Sequence, residues 1–129
     1  MRVYLSFASL LVLSACAASP VQETPPTDDY QPISFEGEAA TPQERARCEA
    51  AGGEVQRAGR LGWEACIQTF ADAGDTCSDS SDCLGECRNT NEFVADGAPA
   101  TGQCAVNDSP FGCHQTIENG VAHPALCVD

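Results

Sequence analysis

Cys77-Ser78-Asp79-Ser80-Ser81-Asp82-Cys83-Leu84-Gly85-Glu86-Cys87 places three cysteines in one short run of small, acidic and hydroxyl side chains. The run has neither helical nor strand periodicity, so cross-links rather than an apolar face have to order it. Gly102-Gln103-Cys104 closes this looped knot, and further cysteines stand at 48 and 66 before it and at 113 and 127 after it. Cys16 is the ninth, isolated near the start. With Cys16 set apart, Cys48, Cys66, Cys77, Cys83, Cys87, Cys104, Cys113 and Cys127 form an even set in a small domain. That pattern reads as four disulfides, although eight cysteines allow about 105 pairings.

Before the knot, Thr41-Pro42-Gln43-Glu44 has the chemistry of a helix start. Thr41 is the N-cap, Pro42 the first helical residue and Glu44 the reciprocal capping-box partner. The helix should run to about Ala51 and stop at Gly52-Gly53. Glu54 to Ala58 and Trp63 to Phe70 then read as a hairpin around Gly59-Arg60-Leu61-Gly62. Trp63, Ala65 and Ile67 alternate with Glu64, Cys66 and Gln68 as in a half-buried strand. A Cys48–Cys66 bridge, clipping helix to hairpin, is the favoured pair. After the knot, Asn89–Thr101 reads as a polar loop projecting outward. Cys113 to Ile117 and Val121 to Val128 flank Asn119-Gly120, a strong hairpin signal. A two-residue turn there puts Cys113 opposite Leu126, so a Cys113–Cys127 bridge requires a bulge or a different register. Pro124 marks the last strand as an edge.

The expected fold is a small disulfide-rich α+β domain: one short N-terminal helix, two β-hairpins and the looped cysteine knot. Residues 43–129 carry fourteen large apolar side chains, among them Trp63, Ile67, Phe70, Phe111 and Ile117. A domain this poor in apolar bulk sits near zero net stability without staples. Bridges worth about 2–4 kcal/mol each decide the balance, which gives the cysteines a full structural explanation.

At the N-terminus, Met1-Arg2 precedes an apolar stretch from Val3 to Leu13, shorter than the roughly 20 residues a spanning helix needs. It reads as a signal peptide over residues 1–15. Residues 16–42 hold five of the eight prolines and five acids, Glu23, Asp28, Asp29, Glu36 and Glu38, with no basic residue. They read as a disordered tether, followed by the stapled domain at 43–129. Removing residues 1–15 leaves 5 basic against 19 acidic residues, and the chain has no lysine. Such a surface argues against nucleic acid and against anionic headgroups as partners.

The tetrapeptide Leu13-Ser14-Ala15-Cys16 resembles the bacterial lipobox. The resemblance implies a diacylglycerol on Cys16, cleavage just before it, and a bilayer partner reached through the acylated cysteine. Ala17 at the next position implies, by Gram-negative sorting rules, the outer membrane on its periplasmic side. Cys48-Glu49-Ala50-Ala51-Gly52-Gly53 with Cys66 is similar to short modules of small bacterial lipoproteins, the putative-haemolysin type included. Those families generally lack an assigned activity. The 77–87 knot looks like the Asp/Ser-rich cysteine repeats of secreted proteins, which imply a scaffold and no substrate.

Sites of chemistry are few. Cys77, Cys83, Cys87, Cys104, His114 and His123 are soft donors, but no Cys-x-x-Cys pair occurs and an exported chain is oxidised, so no metal and no cofactor are expected. Asp75, Asp79, Asp82 and Glu86 lack the calcium-loop spacing and read as a solvated face. Arg45, Arg47, Arg57 and Arg60 form the one basic cluster, as a patch or as pairs with Glu44, Glu49, Glu54 and Glu64. The sequence therefore points to a non-catalytic extracytoplasmic interaction module, with a protein as a further partner. Two alternatives stand beside it. One is an inhibitor of an extracytoplasmic lysozyme or protease, working through Asn89–Thr101 or the Glu118–Gly120 turn. The other is a small hydrolytic enzyme using His114 and His123.

Overall fold

The computed structural model describes residues 30–129. The signal-like segment, Cys16 and the first part of the tether lie outside them. Helix α1 (Pro42–Ala50) starts as its sequence dictates, with the Thr41 hydroxyl accepting from the Glu44 N–H and the Glu44 carboxylate accepting from the Thr41 N–H. That carboxylate also accepts from the Glu36 N–H. These bonds, those from Thr41 first, hold the Glu44 carboxyl below its usual range.

The two glycines after the helix do different work. Gly52 takes φ +74° and ends it. Gly53 opens β1, where a Cβ would lie 2.7 Å from Cys66 Sγ and 2.9 Å from Cys48 Sγ, so the glycine makes room for the bridge. β1 (Gly53–Ala58) pairs antiparallel with β2 (Trp63–Gln68), and Cys48–Cys66 clips α1 to them. The expected alternation along β2 does not hold. Trp63 is exposed while Cys66, Ile67 and Gln68 are all buried. The strand runs out of the hairpin tip into a region covered on both faces, so depth increases along its length instead of alternating across it.

The described end of the segment before the helix is in contact with the domain. Tyr30, Ile33 and Phe35 are half-buried, and the segment is fastened to the domain. The Glu38 carbonyl accepts from the Glu64 N–H at 2.9 Å, the Glu64 carboxylate accepts from the Ala40 N–H, and Arg47 donates to the Ser34 carbonyl. Sparse apolar residues dock here because the outer edge of β2 offers unpaired backbone groups. Residues from Tyr30 onward thus share hydrogen bonds and packing with the domain.

The middle of the chain is a three-stranded antiparallel sheet, β3 (Thr76–Cys77), β5 (Gly102–Cys104) and β4 (Cys87–Arg88), with β5 central. A 3₁₀ turn, Ser80–Asp82, is capped at its N-terminal end, where the Asp79 side chain accepts from the Ser81 N–H and the Asp82 side chain from the Asp79 N–H. The bridges Cys77–Cys87 and Cys83–Cys104 interleave through this sheet. Their sulfurs are the core: Cys77, Cys87 and Cys104 are almost fully buried and pack with Ile117 and Ala122. Many of the fourteen large apolar side chains stay in water, Leu61, Trp63, Phe93, Val94, Val106 and Leu126 among them.

The last hairpin divides into two ladders. β7 (Ile117–Glu118) pairs with β8 (Val121–Ala122) around Asn119-Gly120, both at positive φ. β6 (Gly112–His114) pairs with β9 (Leu126–Val128) so that Cys113 faces Cys127, and the two are bridged. Between the ladders His123-Pro124-Ala125 oppose only Gln115-Thr116. That extra residue is the bulge the sequence required for this bridge.

Asn89–Thr101 does not project. It lies along β8, with Gly97 N–H donating to Ala122 O, Ala122 N–H to Ala98 O, and Ala100 N–H to Gly120 O. Gln115, 1% exposed, pins it from inside. Its amide nitrogen donates to the carbonyls of Val94 and His123, both at 2.8 Å, and its oxygen accepts from the Val94 N–H. The Asn119-Gly120 turn is fixed too, through Asn119 N–H to Asp79 and Gly120 N–H to the Ser78 carbonyl.

Candidate functional site

A cleft of about 380 Å³ opens where the docked N-terminal segment, the end of β2, β4 and the β6–β9 ladder meet. Its floor is Phe70, 7% exposed, against which Tyr30 packs edge-on with ring centres 4.9 Å apart. Gly85 keeps that floor flat, because any Cβ there would strike the Phe70 ring. Asp108 locks the two aromatic elements together. One oxygen accepts from the Gln68 N–H at 2.8 Å and the other from the Tyr30 hydroxyl at 2.9 Å. Burial, and then the bonded Asp108 carboxylate, push the Tyr30 phenol up to about 12.

One wall comes from β4 and the residue before it. Cys87 points into the core, so its neighbours Glu86 and Arg88 share the opposite face. Arg88 meets the Glu86 carboxylate at 2.9 Å and reaches the Ser109 carbonyl at 3.4 Å. His114 completes the cluster, with Nε2 3.6 Å from the same Glu86 oxygen and its side chain 13% exposed. His114 Nδ1 is buried without a hydrogen-bond partner. Leaving such a group unsatisfied costs about 1–3 kcal/mol. Leu126 and Val128 of β9 form the facing apolar wall.

The arrangement is suited to holding a ligand group. It offers a cationic fork, two carboxylates, an imidazole and an aromatic floor in one concavity. No serine, threonine or cysteine is among the residues lining it, and the one phenol is committed to Asp108. A Glu–His pair stands there without a hydroxyl or thiol side chain of serine, threonine or cysteine among its neighbours in the lining.

The histidines are not brought together. His114 lines the cleft, whereas His123 is exposed on the bulge with its carbonyl taken by Gln115. The acids of the knot are also separated. Asp79 and Asp82 serve as caps, Glu86 enters the cleft, and Asp75 and Asp82 edge a different depression beside Asp72, whose carboxylate accepts from the Leu84 N–H. The hydroxyl and N–H of Ser81, with the Asn119 N–H, hold the Asp79 carboxyl down at about 2. Of the four clustered arginines, Arg45 pairs with Glu64 at 3.1 Å, while Arg47 and Arg57 spend their donors on backbone carbonyls. The sulfurs of Cys77, Cys83 and Cys104 lie within 4.8 Å of one another, but each is consumed in a bridge, which leaves no thiolate to ligate.

Sequence reading missed Tyr30, Phe70, Arg88 and Asp108 as site residues. Arg88 carried a usable signal: it is the sole lysine or arginine after residue 60. Among the described residues no helix is long and apolar enough to cross a membrane. Compared with known proteins, the chain matches no family model, no curated protein and no solved structure.

Proposed function

We propose that this chain is a lipid-anchored, non-catalytic binding module working outside the cytoplasm, and that its cleft takes a segment of a protein partner. The observation that carries the reading is the convergence of Glu86, Arg88 and His114 over the Tyr30–Phe70 floor, in a cleft whose lining residues include no serine, threonine or cysteine. An apolar side chain of the partner fits the floor, and a polar group fits the Arg88–Glu86 rim. The lipobox-like Leu13–Cys16 and the four bridges support the address: acylated Cys16 in an oxidising compartment, with Ala17 favouring the outer membrane of a Gram-negative cell.

Two measurements test the proposal. Cys16→Ser should abolish incorporation of labelled palmitate and move the protein from membrane to soluble fractions; unchanged fractionation removes the anchor. Immobilised protein should retain a partner that the Arg88→Ser and Tyr30→Ala variants release. Equal retention by all three rules out the cleft as the binding surface.

A further inference from the structure

The four bridges differ in their access to solvent. Cys48, Cys66, Cys77, Cys87 and Cys104 are between 0% and 5% exposed, and Cys83 is half-buried against its buried partner. Cys113 and Cys127 are both exposed. A thiolate must reach a sulfur to exchange with it, and in the folded protein an attacking dithiol has a clear approach to this last pair.

Its position gives that access a consequence. Cys113 and Cys127 face each other at the centre of the β6–β9 ladder, flanked by Gly112↔Val128 and His114↔Leu126. That ladder is a two-stranded sheet with no third strand, and a lone two-stranded ribbon is marginal in water. The bulge and Pro124 separate it from β7–β8, so β9 reaches the body through a segment that cannot continue the ladder. Three of its six residues, His114, Leu126 and Val128, line the cleft.

We propose that Cys113–Cys127 is a thiol–disulfide exchange site, a clasp by which an extracytoplasmic dithiol opens and re-forms one wall of the cleft. The regulatory meaning rests on the cleft being the binding surface; the exchange itself does not. One thiolate of the dithiol attacks Sγ of Cys113 or Cys127. The S–S bond breaks, a mixed disulfide forms, and the departing sulfur takes a proton from water. The second thiol of the dithiol then attacks the mixed disulfide, releasing the remaining cysteine as a thiol and leaving the reagent as a disulfide. Two electrons pass from the dithiol to the cystine. The reverse reaction with an oxidised dithiol closes the clasp and lays β9 back against β6.

The folded, intact protein is treated with graded dithiothreitol, quenched with iodoacetamide and peptide-mapped. Cys113 and Cys127 should be alkylated first, with the other six bridge cysteines still bonded. At that stage amide exchange should show lost protection over Leu126–Val128 and unchanged protection over β1 and β2. A Cys113→Ser/Cys127→Ser variant should reproduce the same exchange pattern without any reductant. Reduction of another bridge first, or of all four together, overturns the proposal. So does selective reduction that leaves β9 fully protected. Partner release by Arg88→Ser judges the cleft separately, so the two readings fail independently.

Discussion

The helix–hairpin unit of residues 42–68 and the interleaved-bridge region of residues 76–122 are both cross-linked, yet they are ordered by different forces. In the first, a capping box, a proline at the first helical position and a six-pair strand ladder specify the backbone locally, and Cys48–Cys66 clips finished elements together. In the second, no strand exceeds three residues, and the ladder is replaced by two buried bridges and by side chains bonded to backbone. Asp79, Asp82, Gln115 and Ser80 do there what repeated backbone pairs do in a longer sheet. Local propensity can build an element, but only long-range bonds can build a region without one.

This contrast is broken most severely by removing a bridge from the second region. Cys77→Ala/Cys87→Ala should cost about 2–5 kcal/mol and abolish cooperative unfolding of residues 76–122. Circular-dichroism melting with amide exchange would show it, and a stable variant would mean the side-chain network suffices alone. Gln115→Ala comes next, at about 2–3 kcal/mol, because it removes a buried side chain and its three hydrogen bonds to the backbone of Val94 and His123. Amide exchange should rise at Val94, and urea titration gives the magnitude. Gly102→Ala should cost about 1–3 kcal/mol, since its Cβ would stand 2.5 Å from the Arg88 carbonyl oxygen across the central sheet. In the helix–hairpin unit, Thr41→Ala should cost only about 1 kcal/mol, read as a small drop in melting temperature.

The smallest effect is electrostatic. The Asp79 carboxyl lies below its ordinary value of 3.8, at about 2 in the folded protein. Its contribution to stability is therefore complete above about 4 and disappears as the pH falls through about 2. Asp79→Asn should flatten the acid limb of stability against pH in that window. An identical acid limb in both proteins would place the effect elsewhere.

The features that local rules govern are legible in the sequence. Thr41, Pro42 and Glu44 mark the helix start, Gly52 its stop, and Asn119-Gly120 the turn. The Cys48–Cys66 pair is legible because both of its elements are. The need for a bulge before Cys127 follows from counting residues across the turn. What stays hidden depends on distant partners. Gly53 looks like a second stop signal, yet its role is to let a bridge pass. Gln115 is an ordinary polar residue until two loops close around it. Tyr30 lies in a proline- and acid-rich stretch whose composition argues for disorder, and Phe70, Asp108 and the open edge of β2 together outweigh that composition. Of the cleft, only His114 stands out in the sequence as a candidate for chemistry, and its partner Glu86 reads there as part of a solvated face.

The docking of Tyr30 shortens the length of chain between Cys16 and the folded residues. Between Cys16 and Pro42 a fully stretched chain could span about 90 Å, but between Cys16 and Tyr30 its limit is about 50 Å. If Cys16 is held in a bilayer, the cleft beside Tyr30 can travel little more than half as far from it as an unfastened linker would allow. On the proposed anchoring, the hydroxyl of one tyrosine, bonded to Asp108, would help set how far from the membrane the cleft can stand.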